Sequence, residues 1–200
     1  MFHFSKKAWG EKLWSEPKRD DFSERFPSFC RLRFATQDGV EIAFTDPRRF
    51  GRIRLTEDPA QDPALSKLGF DPLVSPVSLA ELVKVLSKRK APLKAVLLDQ
   101  GVFAGVGNWI ADEVLFQAKL SPHRLANSLS KPEVTRLRTK LFSIVERAVG
   151  LHADYDRYPK TWLFHHRWGK DSEAKTSKGA KIVHDTIGGR TTAWVPSIQK

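Results

Sequence analysis

Two serine–glutamate boxes constrain this chain more than any other feature. Ser78-Leu79-Ala80-Glu81 and Ser130-Lys131-Pro132-Glu133 each place a hydroxyl and, three residues on, a carboxylate where they satisfy the first free N–H groups of a helix. Behind the first box Leu79, Leu82, Val83 and Leu86 recur at helical spacing. Behind the second, Val134, Leu137, Leu141, Ile144, Val145 and Ala148 do the same. Between the boxes, Gly101-Val102-Phe103-Ala104-Gly105-Val106-Gly107 is too rich in glycine for a helix and reads as a turn. It separates two shorter predicted helices, one from Pro92 to about Asp99 and one from Asn108 to about Lys119. Apolar stripes of this kind face a core, so this region is expected to close a helical core of its own.

The chain ahead of it reads as strand. Ser28-Phe29-Cys30-Arg31-Leu32-Arg33-Phe34 alternates, Gln37-Asp38-Gly39 supplies a turn, and Val40-Glu41-Ile42-Ala43-Phe44-Thr45 alternates again. A third strand is expected at Phe50-Gly51-Arg52-Ile53-Arg54-Leu55, which makes an antiparallel meander with one buried face. Strands this short need more sheet to stand alone, so exposed apolar surface and marginal stability are expected here. The first 25 residues, with Trp9, Trp14 and Phe22 scattered among charges, read as loop. Residues 56–77 hold Pro59, Pro63, Pro72 and Pro76 and read as a linker. In the tail, Lys170 to Lys181 is polar and expected to be mobile. Beyond it, Lys181-Ile182-Val183-His184 and Thr191-Thr192-Ala193-Trp194-Val195 flank Asp185 to Arg190, a hairpin with glycines in its loop and Arg190 beside the tip. The expected fold class is α+β, and no internal repeat is present.

Charge narrows the function. Lys and Arg number 34 against 23 Asp and Glu, a formal net charge of +11. The excess is uneven: residues 1–75 carry 13 basic and 12 acidic groups, residues 76–200 carry 21 and 11. An excess so concentrated points to a polyanionic partner, nucleic acid before acidic membrane, because no basic amphipathic membrane helix is evident. A merely soluble basic protein is the competing reading. The single cysteine, Cys30, excludes an intramolecular disulfide framework and any cysteine-based zinc or iron–sulfur site. No apolar run approaches a membrane span, and the start has no apolar stretch of a secretory signal.

Two segments carry candidate chemistry. In Gly105-Val106-Gly107-Asn108 the glycines let backbone approach a ligand, and a helix begins at Asn108 whose free N–H groups and positive dipole end suit a phosphate. The same turn also serves as a plain helix–helix connection. In Asp46-Pro47-Arg48-Arg49-Phe50-Gly51, proline and glycine bracket two guanidiniums and an aromatic ring. Arginine can fork onto phosphates and phenylalanine can wedge between bases, while an ordinary turn with solvated arginines remains open.

Read in order, the segments Thr45-Asp46-Pro47-Arg48-Arg49-Phe50-Gly51, Lys94-Ala95-Val96-Leu97-Leu98-Asp99-Gln100, Ala104 through Phe116, Ser121-Pro122-His123-Arg124 through Ser130, and Gly188-Gly189-Arg190-Thr191-Thr192 resemble the formamidopyrimidine-DNA glycosylase (Fpg) family, with the endonuclease VIII-like branch as close kin. The resemblance runs from Phe29 to the C-terminus. It implies part of an antiparallel β-sandwich plus linker over 1–77, a helix–two-turn–helix DNA-binding module over 78–153, and a finger hairpin over 154–200. It implies that Arg48 and Phe50, with Arg49 beside them, fill the gap left by a flipped-out base. Lys94 and Asn108 would contact phosphates, Arg190 would hold a phosphate from the finger, and Glu113 would be an acidic residue of the same module. The implied partner is double-stranded DNA with an oxidised base or an abasic site; a monomer with no membrane association is expected, and the single thiol points to a reducing compartment, nucleus or cytoplasm.

Two departures from the family pattern shape the expectation. Many relatives carry four cysteines on zinc in the finger; here Trp194, Val195 and Pro196 stand where the second pair would lie. A zincless finger held by Ile182, Val183 and Trp194 is expected, with no metal and no cofactor. Family enzymes also use an N-terminal proline amine followed by glutamate, whereas this chain begins Met1-Phe2. The glycosylase and lyase reactions need an amine to attack the sugar C1′. The expectation is therefore a DNA-binding chain with no catalytic residue of its own, since neither Phe2 nor Lys6 and Lys7 replaces that pair, and with little base-excision activity. The alternatives are a non-enzymatic reader of abasic or damaged DNA and, more remotely, a basic RNA-binding protein.

Overall fold

A computed structural model describes residues 2–4 (backbone), 27–169 and 172–200. Trp9, Trp14, Phe22, Lys6, Lys7, Lys170 and Asp171 lie outside the described residues. The chain divides into two compact units, residues 1–57 and 58–200.

The first unit is a three-stranded antiparallel sheet built from β1 (Phe2–Phe4), β2 (Cys30–Ala35) and β3 (Glu41–Thr45), in the order β1-β3-β2. The β2–β3 turn forms because Gly39 takes φ +83°, a value that its neighbours would adopt only with strain. Thr36 N–H then donates to Val40 O at 2.9 Å. Register runs Leu32↔Phe44 to Ala35↔Glu41, with an irregularity between Cys30 and Leu32. The meander departs from the sequence expectation in one place. Residues 50–55 form no strand, and the free edge of β3 is taken by Phe2–Phe4, in register from Phe2↔Phe44 to Phe4↔Ile42. Alternating Ile53 and Leu55 satisfies a strand pattern, but an edge already paired offers it no ladder. Both side chains stay exposed, as do Phe29, Phe34 and Val40.

In the second unit both boxes open helices. Ser78 caps α1 (Leu79–Ser87), its hydroxyl accepting from Glu81 N–H while Glu81 accepts the Ser78 N–H, each at 3.2 Å. After α1 come α2 (Leu93–Leu98) and α3 (Asn108–Ala118), and then α4 (Lys131–Gly150). At the α4 start, Ser130 N–H and hydroxyl both donate to Glu133 at 2.8 Å, and Arg124 grips the same carboxylate. That guanidinium, with the Ser130 N–H, drives the Glu133 carboxyl down to about 2. The four helices close over Leu82, Leu86, Leu93, Leu97, Val114, Leu115, Leu137, Leu141 and Ile144, the core that the apolar stripes predict. Among the described residues no helix is long and apolar enough to cross a membrane.

The expected linker is more ordered than its prolines suggest. It holds a 3-10 turn at Pro59–Gln61, and Phe70 bridges to Phe103, with Phe70 N–H donating to Val102 O at 3.0 Å and Ala104 N–H to Phe70 O at 3.0 Å. This crossing needs Gly69, because a Cβ there would stand 2.3 Å from Val102 O. The tail holds β4 (Val183–Ile187) and β5 (Arg190–Trp194), an antiparallel hairpin tighter than the sequence suggests. Gly188 and Gly189 alone make its turn, at φ +59° and +72°, a backbone reserved for glycine in practice. The described part of the polar stretch before it is a closed turn, with Thr176 N–H donating to Ala180 O at 2.9 Å. Among the described residues the fold is α+β, with two small antiparallel sheets and a core closed by four helices.

Candidate nucleic-acid interface

The 101–107 turn delivers α3 in a fixed pose. Gln100 staples it, accepting Gly105 N–H at 2.9 Å and donating to Leu98 O and Val106 O at 3.1 Å, while Gly105 takes φ +79°. Gly107 then precedes α3 in extended backbone with no side chain to cap the helix, and no acidic residue occupies the first turn. The positive end of the helix dipole is thus left for an anion from outside.

Behind this helix end lies a buried ionic cluster. Lys94 of α2 is fully buried. Its Nζ pairs with Asp112 of α3 and donates to Asn108 O at 2.9 Å. Arg167 reaches the same carboxylate with Nε at 3.1 Å and Nη2 at 2.7 Å. Burial pushes the Lys94 amine below its usual range while Asp112 pulls it back up. Two cations thus share one carboxylate beneath the α3 N-terminus, which favours an anion above it.

The hairpin tip comes to the same place. Asn108 Nδ2 donates to Thr191 O at 2.8 Å, and a Cβ on Gly188 would meet the Ala95 Cβ of α2 at 3.3 Å. Arg190 is exposed beside these contacts. On the far side of the hairpin, Asp185 accepts His123 Nε2 at 2.8 Å and the Trp194 indole N–H at 2.7 Å. Partial burial raises this carboxyl, yet those two bonds together hold it below the usual range. The core beneath the finger is Leu163, Ile182, Ala193 and Val195 with Phe116 and Ile198 against it. Ile182 is there as expected, but Val183 and Trp194 are only half-buried, because both sit on the hairpin face turned from that core. The finger has no thiol, and among the described residues no three His, Cys, Asp or Glu side chains could share a metal, so its residues do not fit a zinc ion.

The other predicted residues fall as follows. Glu113 is buried, accepting Gln117 Nε2 at 2.8 Å and Phe164 N–H at 2.9 Å beneath the aromatic group of Trp109, Tyr158 and Phe164. Burial raises its carboxyl to about 7. Neither Glu113 nor Lys94 presents its side chain to solvent. In the first unit Arg48, Arg49 and Phe50 are all exposed, with the Arg48 guanidinium 5.3 Å from the Phe50 ring centre. Asp46 shapes their turn by accepting the N–H groups of Gly51 and Arg48, and the first of these bonds in particular holds its carboxyl below the usual range. Within the second unit the structure therefore brings together Asn108, Arg190 and, from below, Lys94. Sequence reasoning gave no role to Asp112 and Arg167, whose partners lie 18 to 81 residues away.

Known proteins share the sequence pattern and the fold of this chain. Residues 68–157 match the formamidopyrimidine-DNA glycosylase H2TH domain family. A formamidopyrimidine-DNA glycosylase of Arabidopsis thaliana is 44% identical over 179 residues, covering 89% of this chain and 46% of that protein, so the chain spans about half the length of this relative. The crystal structure of MutM (Fpg) from Thermus thermophilus superposes with a TM-score of 0.72 at 32% identity, covering 88% of this chain and 70% of the other. A complex between the Lactococcus lactis Fpg and DNA containing an abasic site gives 0.67 at 26% identity, covering 81% and 63%. At 32% identity with the Thermus thermophilus protein over 70% of its length, the chain belongs to the formamidopyrimidine-DNA glycosylase family.

Proposed function

We propose that this chain is the DNA-binding portion of a base-excision-repair glycosylase and abasic-site lyase for oxidised purines. Its partner is double-stranded DNA bearing an oxidised base or an abasic site. One observation carries the reading: the uncapped start of α3, Asn108 and the hairpin tip with exposed Arg190 meet above a buried pair of cations. Free N–H groups and a guanidinium there are suited to consecutive phosphates. Arg48 and Phe50, exposed on the Asp46 turn, supply the wedge that fills the gap when a nucleotide leaves the stack, which costs a few kcal/mol. The chain divides in function into 1–77, 78–153 and 154–200.

Catalysis by this chain alone is weak in this reading. Lys94, whose amine stands beside a carboxylate, is fully buried and cannot reach a sugar C1′. Borohydride trapping on abasic duplex should therefore give little covalent adduct, and efficient trapping would refute that part of the reading. Binding is tested by competition at several salt concentrations. An abasic duplex should win over intact duplex and over RNA, with affinity falling steeply as salt rises. Replacing Arg190 or Asn108 should weaken binding by about 1–3 kcal/mol each. Unchanged affinity in both variants, or equal affinity for RNA, would refute the DNA-repair reading.

A further inference from the structure

The hairpin turn has two residues, so Ile187 and Arg190 form the hydrogen-bonded pair that closes it, and such pairs alternate from there along the strands. Thr191 and Ala193 fall on the intervening rows, where main-chain groups point away from β4 to the outer edge of β5. That edge is covered by α3. Asn108 Nδ2 donates to Thr191 O at 2.8 Å, and Ala193 N–H donates to Asp112 Oδ2 at 3.2 Å. The spacings agree: four residues of helix rise about 6 Å, and two residues of antiparallel strand about 6.8 Å. Two side chains one turn apart on a helix stand in for a third strand.

Asp112 is the fixed end of this pair. It is buried, and Lys94 from α2 and Arg167 from the segment before the hairpin hold its two oxygens. Ala193, which it grips, lies three residues from Arg190 on the same short strand. We propose that Asp112 is a positioning residue, touching no DNA itself, that sets the finger on α3 and so holds Arg190 where a phosphate is met. This rests on the DNA-binding reading above.

The experiment compares Asp112→Asn, Arg190→Ala and the double variant for binding to abasic duplex across a salt series. Asp112→Asn keeps the side-chain shape and removes the charge that orients it. It should lose about tenfold in affinity, as Arg190→Ala does, and each should lower the salt slope by about one phosphate's worth. The double variant should be no weaker than Arg190→Ala. A general loss of stability would not change the salt slope, so an unchanged slope in Asp112→Asn, or losses that simply add, overturns the proposal. Arg190→Ala without effect overturns the DNA reading of Arg190 and this proposal with it. Should Asp112→Asn fail to fold, because two buried cations lose their counter-charge, Ala193→Pro breaks the same tie from the strand side, putting a ring carbon where the gripped N–H stood, and faces the same outcomes.

Discussion

The two units hold their exposed arginines by different means. Around Arg48 the support is local: the Asp46 carboxylate accepts two backbone N–H groups of its own turn, and Ala43 and Thr45 are the buried residues of the unit among those described. Around Arg190 the support is remote. A hairpin turn rests on α2, two side chains of α3 grip the outer strand, and a continuous apolar core lies beneath the helices. A turn closed by its own side chain can keep its shape with little core under it. A finger aimed from a distance depends on everything between it and the core.

The contrast can be broken most forcefully in the helical core. Leu137→Ala, at a fully buried position, should cost about 2–5 kcal/mol in denaturant unfolding followed by helical circular dichroism. A smaller cost would mean that the core is looser than its packing implies. Next comes pH. Glu113 titrates near 7 folded against 4.5 for a free glutamate, so the folded state holds its proton more tightly. Stability should fall as pH rises from about 4.5 through 7, by about 3 kcal/mol in total. Glu113→Gln should flatten that window and be the more stable form above pH 7, as unfolding at about pH 5 and pH 8 would reveal. Ser78→Ala removes the α1 cap and should cost about 1 kcal/mol. The smallest effect is expected in the sheet: Phe34→Ala, at a side chain 48% exposed, should cost less than about 1 kcal/mol. If it matched Leu137→Ala, the two units would not differ in the way described.

Local signals carried much of this architecture. The capping boxes, the glycine turn and the apolar stripes of α1 and α4 are readable because each depends on residues within a turn or two. The hairpin was readable for the same reason, although its turn proved to be Gly188-Gly189 alone. What escaped depends on distant partners. Residues 50–55 alternate like a strand, but nothing nearby in sequence tells that β1 occupies the edge they would need. Lys94 is a phosphate contact by resemblance, and nothing near it in sequence tells that it is buried against Asp112. Glu113 reads as a polar residue of the module until the aromatic group folds over it. Buried ion pairs leave no periodicity, so spacing alone could not have found the carboxylate that ties helix to finger.

That tie has an evolutionary consequence. Asn108 and Asp112 meet the finger at peptide groups, Thr191 O, which every residue supplies, and Ala193 N–H, which every residue except proline supplies. Natural variation can therefore rewrite most of the hairpin's outward-facing letters without loosening its mooring, whereas drift at either helix position has no such freedom. A metal clasp demands four particular residues from the finger; this tie takes from it two peptide groups and one side chain, Arg167, which shares the Asp112 carboxylate.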